Sequence, residues 1–237
     1  MGQPAFGTIE EAFVYCRDMD ASLSERLDTF AAVSRALRPA MQEAIDRMVE
    51  RLRAHQAGAL APGPGDLMPP FALPDETGRI VTLEALLADG PAAITFHRGH
   101  WCPYCRINTR VLGEVQETIV SEGASIVAIL PERERYAASL KADAKLRYPV
   151  LSDMDNGYAL SINLAIWVGA ELQELMAKSG RELPVYQGNE GWILPIPATF
   201  VVGQDGRVVG RFIDPDYRKR MAVEDLLAAL RQARDTR

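Results

Sequence analysis

His97-Arg98-Gly99-His100-Trp101-Cys102-Pro103-Tyr104-Cys105 joins two segments of different periodicity and carries two thiols three positions apart. Before it, Ala92-Ala93-Ile94-Thr95-Phe96 is a mostly apolar run of strand length. After it, Ile107, Val111, Val115 and Ile119 recur every fourth position, which is one face of a helix. Pro103 suits the first turn of that helix, where the amide it lacks would have no partner. Cys102 and Cys105 therefore belong at or just inside a helix N-terminus, where free N–H groups and the positive dipole end favour a thiolate. A second sulfur one turn away can capture what the first one forms, so the stretch reads as a redox site.

Zinc binding and simple core packing fit the stretch less well. A CxxC is half of many zinc knuckles, but beyond this stretch the chain offers only Cys16 and His55. Recruiting His97 and His100 would crowd four ligands into nine residues across a strand–helix bend. Two ordinary core cysteines would pack as small hydrophobes, which leaves their place beside Trp101, Pro103 and Tyr104 unexplained. No metal is expected.

The chain has 237 residues, 48% hydrophobic and 24% charged, enough for one large domain with an appendage. A net charge of −6 argues against nucleic acid or an anionic membrane as partner. No run has the length of a membrane helix. The start, Met1 to Phe6, lacks a basic flank and an apolar core, and Phe6 stands where myristoylation needs Ser or Thr. The expectation is a cytoplasmic protein.

Residues 1–56 read as a helical N-terminal extension. Ser22-Leu23-Ser24-Glu25 fits a capping box, and Leu23, Leu27, Phe30, Val33 and Leu37 form a stripe. Pro39 interrupts it, and Met41, Ile45, Met48 and Leu52 resume it. The stripe must bury itself on the main domain or on a second subunit, which makes a homodimer through these helices one option. Phe13-Val14-Tyr15-Cys16 suggests a helical turn with Cys16 in the core. Residues 57–64 read as an Ala/Gly/Pro linker. From 65 to 237 strands and helices alternate. Short strands flank the Asp75–Gly78 turn, then come a brief helix at 83–87, strands at 92–96, 125–130 and 148–151, and a helix at 134–145. Helical periodicity runs from Tyr158 to Met176, strands at 199–202 and 207–213 meet across Asp205-Gly206, and a last helix covers 223–233. This is an α/β layer with a mixed sheet.

Several stretches resemble the peroxiredoxin-like group of the thioredoxin fold, which includes alkyl hydroperoxide reductases and thiol-specific antioxidants. They are Gly65-Asp66-Leu67-Met68-Pro69-Pro70-Phe71, Leu73-Pro74-Asp75, Phe96 through Cys105, Pro149-Val150-Leu151-Ser152-Asp153, and Ala198-Thr199-Phe200-Val201-Val202 with Asp205-Gly206. The resemblance implies a thioredoxin-like fold and attack of a cysteine thiolate on a hydroperoxide, giving a sulfenic acid that a second thiol resolves. Cys105 falls in the slot of the family's attacking cysteine. Cys102 replaces its threonine, Arg98 a loop proline, and Pro197 a distant arginine. The same changes resemble a thioredoxin WCxxC site, in which Cys102, as the more exposed sulfur, attacks and Cys105 resolves. In that likeness the Ile196–Pro197 bond is cis, beside Thr199 and facing the pair.

The reading is thus a thiol-dependent antioxidant enzyme that reduces hydroperoxides through Cys102 and Cys105. It needs no cofactor beyond an external thiol donor such as thioredoxin or glutathione. A disulfide oxidoreductase and a redox-responsive binding protein are the alternatives. Arg98, Arg106 and His100 are expected to lower a thiol pKa, with Trp101 and Tyr104 shaping the rim. His97 or His100 could equally pack beneath the loop, and Asp214-Pro215-Asp216-Tyr217-Arg218 reads as a solvated turn.

Overall fold

The computed structural model describes residues 6–235, so the targeting reading of Met1 to Ala5 lies outside the described residues. Three helices come first: α1 (Ile9–Asp18), α2 (Leu23–Leu37) and α3 (Pro39–Ala54). Thr8 and Ser22 both close capping boxes, with Glu11 and Glu25 reaching back to the cap amides. Pro39 starts a new helix at its first turn rather than bending an old one.

The sheet region opens with β1 (Ala72–Pro74) and β2 (Ile80–Thr82), an antiparallel pair, and the one-turn α4 (Leu83–Leu87). Next come β3 (Ala92–Phe96), α5 (Pro103–Ser121), β4 (Ser125–Leu130), α6 (Glu134–Ala144) and β5 (Val150–Ser152). A less regular stretch follows, with α7 (Gly157–Ser161), β6 (Ala165–Trp167), α8 (Ala170–Lys178), α9 (Leu183–Gln187) and β7 (Ile193–Pro195). Finally β8 (Ala198–Val202), β9 (Val208–Ile213) and α10 (Val223–Asp235) close the fold.

The main sheet has the order β5-β4-β3-β8-β9, with β3, β4 and β5 parallel and β8 and β9 antiparallel to their neighbours. This mixed sheet flanked by helices is the thioredoxin-like arrangement. Its alternation is visible in β3, where Ile94 and Phe96 join the core on one face and Ala93 the core on the other. A third core lies between α1–α3 and α5, where Phe13, Leu27, Phe30, Ile45 and Met48 pack with Tyr104, Ile107 and Val111. The helical stripe is therefore buried within the same chain. Each of its large side chains contributes about 1.5–3 kcal/mol on leaving water.

Two expectations are corrected. Helical periodicity from Tyr158 to Met176 is broken, because Asn163 takes a left-handed conformation (φ 58°) and the chain then pairs as β6 with β7. The Ile196–Pro197 bond is trans, as is every peptide bond among the described residues. The residues Ile196 and Pro197 link β7 to β8, and the Ile196 amide donates to the Leu164 carbonyl at 2.8 Å, which holds this link in place with a trans bond.

Candidate active site

Parallel pairing with β4 places the end of β3 in the middle of the sheet, and the chain leaves it through His97–Trp101 into α5. Gly99 makes this possible: its φ of 142° is disfavoured for a side chain, and a Cβ there would lie 2.5 Å from Trp101 Nε1. Cys102 is the N-cap of α5 and Pro103 its first residue, as the sequence predicted.

Both sulfurs are buried, Cys102 at 1% and Cys105 at 0% exposure, so Cys102 is hardly the more exposed of the two. The backbone N–H of Arg98 donates to Cys105 Sγ at 3.3 Å, and Arg220 Nη2 approaches the same sulfur at 3.5 Å. Burial pushes the Cys102 thiol up, but the adjacent Cys105 thiol and the guanidinium groups of Arg98 and Arg220 outweigh it and bring it down to about 5. Burial and the neighbouring Cys102 charge push Cys105 well above its ordinary value. The pair thus sheds its first proton easily and holds its second.

Arg98 is buried, its guanidinium 3.7 Å above the Tyr217 ring and 5.1 Å from the Trp101 ring. Tyr104 is buried edge-on to Phe30 and Tyr217, and among the described residues its hydroxyl and Trp101 Nε1 have no hydrogen-bond partner.

Other expected helpers are turned elsewhere. His100 bonds Glu132 through both its backbone N–H (2.7 Å) and Nδ1 (2.8 Å) and stacks on Tyr136. Arg106 is held by Asp143 at 2.9 Å and lies over Phe13, not over the sulfurs. His97 is fully buried with Nε2 on Thr95 Oγ1, and burial brings its pKa down to about 3, so it stays neutral. Pro197 is buried in the link between β7 and β8 and Thr199 in β8, where it pairs with Thr95; neither walls the cleft beside Cys102. Cys16 lies in α1, in the core, where burial pushes its thiol up to about 11.

The sequence reading missed Arg220, Arg181 and Tyr217. It took Asp214–Arg218 for a solvated turn, whereas Asp216 and Tyr217 are both 7% exposed. Arg218 fixes the turn by pairing with Asp216 at 2.7 Å and Asp46 at 2.9 Å. An aromatic residue between Asp216 and Arg218 was the one available hint.

A cleft open to solvent lies beside Cys102. The loop supplies Arg98 and Trp101, α5 supplies Tyr104, and α2 and α3 contribute Phe30, Met41 and Ile45.

A pattern characteristic of the AhpC/TSA family matches residues 64–211. The chain belongs to the AhpC/TSA family. That membership makes it a thiol-dependent peroxidase of the antioxidant type and favours this reading over the two alternatives. A Mycobacterium tuberculosis protein named a peroxiredoxin is 26% identical over 171 residues, covering 72% of this chain and 97% of that one. The crystal structure of peroxidoxin BcpB from Mycobacterium tuberculosis aligns with a TM-score of 0.56 at 24% identity, covering 72% and 97% of the two chains. A peroxiredoxin-like protein from Aquifex aeolicus gives 0.57 at 14% identity, covering 73% and 90%. In this AhpC/TSA chain α1–α3 precede the matched span.

Proposed function

We propose that this chain reduces hydroperoxides at Cys102, with Cys105 as the resolving thiol and an external thiol such as thioredoxin or glutathione as donor. The observation that carries the assignment is that Cys102 lines the cleft while sitting at a helix N-cap near two guanidinium groups. Its thiolate attacks one peroxide oxygen; the S–O bond forms as the O–O bond breaks, and the departing oxygen takes a proton to leave as water or alcohol. The Cys105 sulfur then attacks the Cys102 sulfenic acid, the S–O bond breaks, and hydroxide leaves as water with the Cys105 proton. Two equivalents of donor thiol reduce the disulfide.

Arg98 and Arg220 stabilise the charge that shifts from sulfur to oxygen, which is the part the family assigns to an arginine where this chain has Pro197. Tyr104 Oη and Trp101 Nε1 are donors free to meet the peroxide. The cleft gives a peroxide access to Cys102, a sulfur that is otherwise buried. Residues 65–237 are the catalytic domain in this reading, joined through 57–64 to the helical extension 1–56. A homodimer through α1–α3 would have to use outward residues such as Val14 and Tyr15.

Peroxide consumption by wild type, Cys102→Ser and Cys105→Ser tests this. Both variants should lose steady turnover. Cys105→Ser should still consume one equivalent of peroxide and leave a trappable sulfenic acid, and the oxidised wild type should lose two hydrogens in the peptide holding both cysteines. One-equivalent consumption by Cys102→Ser instead would assign the attack to Cys105.

A further inference from the structure

We propose that the cleft is selective for hydroperoxides with an apolar body and a carboxylate, and that Arg38 and Arg181 bind the carboxylate. This rests on the peroxidase reading of Cys102. Three arginines, Arg38, Arg98 and Arg181, stand on the wall of the cleft, with no Asp or Glu among them. Arg98 serves the Cys102 thiolate and the Tyr217 ring. Arg38 and Arg181 are left over: among the described residues neither has a carboxylate within ion-pair distance, and Arg181 reaches only Ser179 Oγ at 2.8 Å.

Arg38 is exposed and Arg181 half-buried, and burial together with the Arg38 charge lowers the Arg181 pKa, so an anion in the cleft would favour the charged form of Arg181. Beside these arginines and Cys102 the wall is mostly apolar, with Phe30, Met41, Ile45, Leu172 and Met176, and its polar members Ser34 and Gln42 bond each other at 2.8 Å. A mostly apolar wall beside a cation pair and a nucleophile fits a molecule with a carboxylate at one end, a hydrocarbon body and a peroxy group at the other. The unpartnered Tyr104 hydroxyl, on a residue 3% exposed, adds a donor beside the thiolate. Phe30, Met41 and Ile45 come from α2 and α3 and Arg38 from the residue joining them, all before the span that matches the family, so the helical extension supplies this selectivity. A carboxylate could also arrive on an anionic thiol donor such as glutathione, but the apolar wall has little to offer that polar body.

The test compares cumene hydroperoxide with its para-carboxylate, which differ only in the anion. Wild type should show kcat/KM for the carboxylate higher by about tenfold or more, the size of one charge-assisted contact of about 1.4 kcal/mol. In Arg38→Gln/Arg181→Gln that ratio should fall to near one, and raising salt should erode it in wild type. A wild-type ratio near one, or a ratio that survives the double substitution, overturns the proposal. So does a double variant whose only change is a higher KM for glutathione with thioredoxin-supported rates intact, since that places the anion site on the donor. A protein that turns over no hydroperoxide at all would refute the peroxidase reading instead. The subsite would still be read from 4-isopropylbenzoate binding to wild type, followed by tryptophan fluorescence: saturable, salt-sensitive binding supports it, and no binding refutes it.

Discussion

At Cys102 burial and charge pull in opposite directions, and two guanidinium groups decide the outcome. A thiol brought down to about 5 is almost wholly thiolate at pH 7, so lowering the pH should leave its reactivity flat to about pH 6 and halve it near pH 5. Each further unit of acid should then cost about tenfold, because only the deprotonated form attacks. Alkylation of Cys102 followed by mass spectrometry across pH 4–9 checks this. Arg220→Met removes one cation, and the midpoint should rise by about one to three pH units. An unchanged midpoint would leave Arg98 as the controlling charge. The cysteines and Pro103 were legible in the sequence because their arrangement is local: a strand, a turn and a helix start within about a dozen positions. Arg220 was not, since it reaches Cys105 across 115 residues from a loop without periodicity. Arg106 misled for a related reason: sequence adjacency to Cys105 says nothing of which helix face it takes, and Asp143 holds it on another.

Among the elements, α2 has the largest effect on the site without contributing to its chemistry. Its Phe30, 1% exposed, packs edge-on against Tyr104 with ring centroids 5.1 Å apart and also walls the cleft. Phe30→Ala should destabilise the protein by about 3–5 kcal/mol, the usual cost of emptying a buried aromatic site, measured by denaturant unfolding. Peroxidase activity should fall with it, since Tyr104 loses the ring that fixes its position. A loss below about 1 kcal/mol would mean that the site collapses around the missing ring. The helical stripe and its break at Pro39 were readable because amphipathic spacing and a helix-starting proline are both strong local signals. The stretch after Tyr158 was not, because β6 owes its existence to pairing with β7 some thirty residues later, and nothing in Ala165-Ile166-Trp167 announces that partner.

For the whole molecule, the question is whether α1–α3 are an appendage or part of the catalytic unit. Their ties to the rest are of two kinds. Exposed pairs such as Arg47–Glu171 contribute little, since water screens them. The apolar contact is different: Phe13, Leu27, Phe30, Ile45 and Met48 cover the face of α5 that carries Tyr104, Ile107 and Val111. Buried Arg26 adds a contact to Glu114 of α5 at 2.9 Å. Removing residues 1–56 should therefore expose a contiguous apolar face along α5 and leave Cys102 open to solvent. The expected outcome is a fragment that associates on gel filtration, binds a hydrophobic dye and loses much of its unfolding cooperativity. Its thiols, no longer shielded, should react faster with bulky disulfides than those of the full chain. A monomeric fragment with wild-type peroxide turnover and the same selectivity would show that the helices are dispensable. The physical case against that result is the missing cover: Tyr104 would keep Tyr217 but lose Phe30, and the α5 face would lose Phe13, Leu27, Ile45 and Met48 from its core.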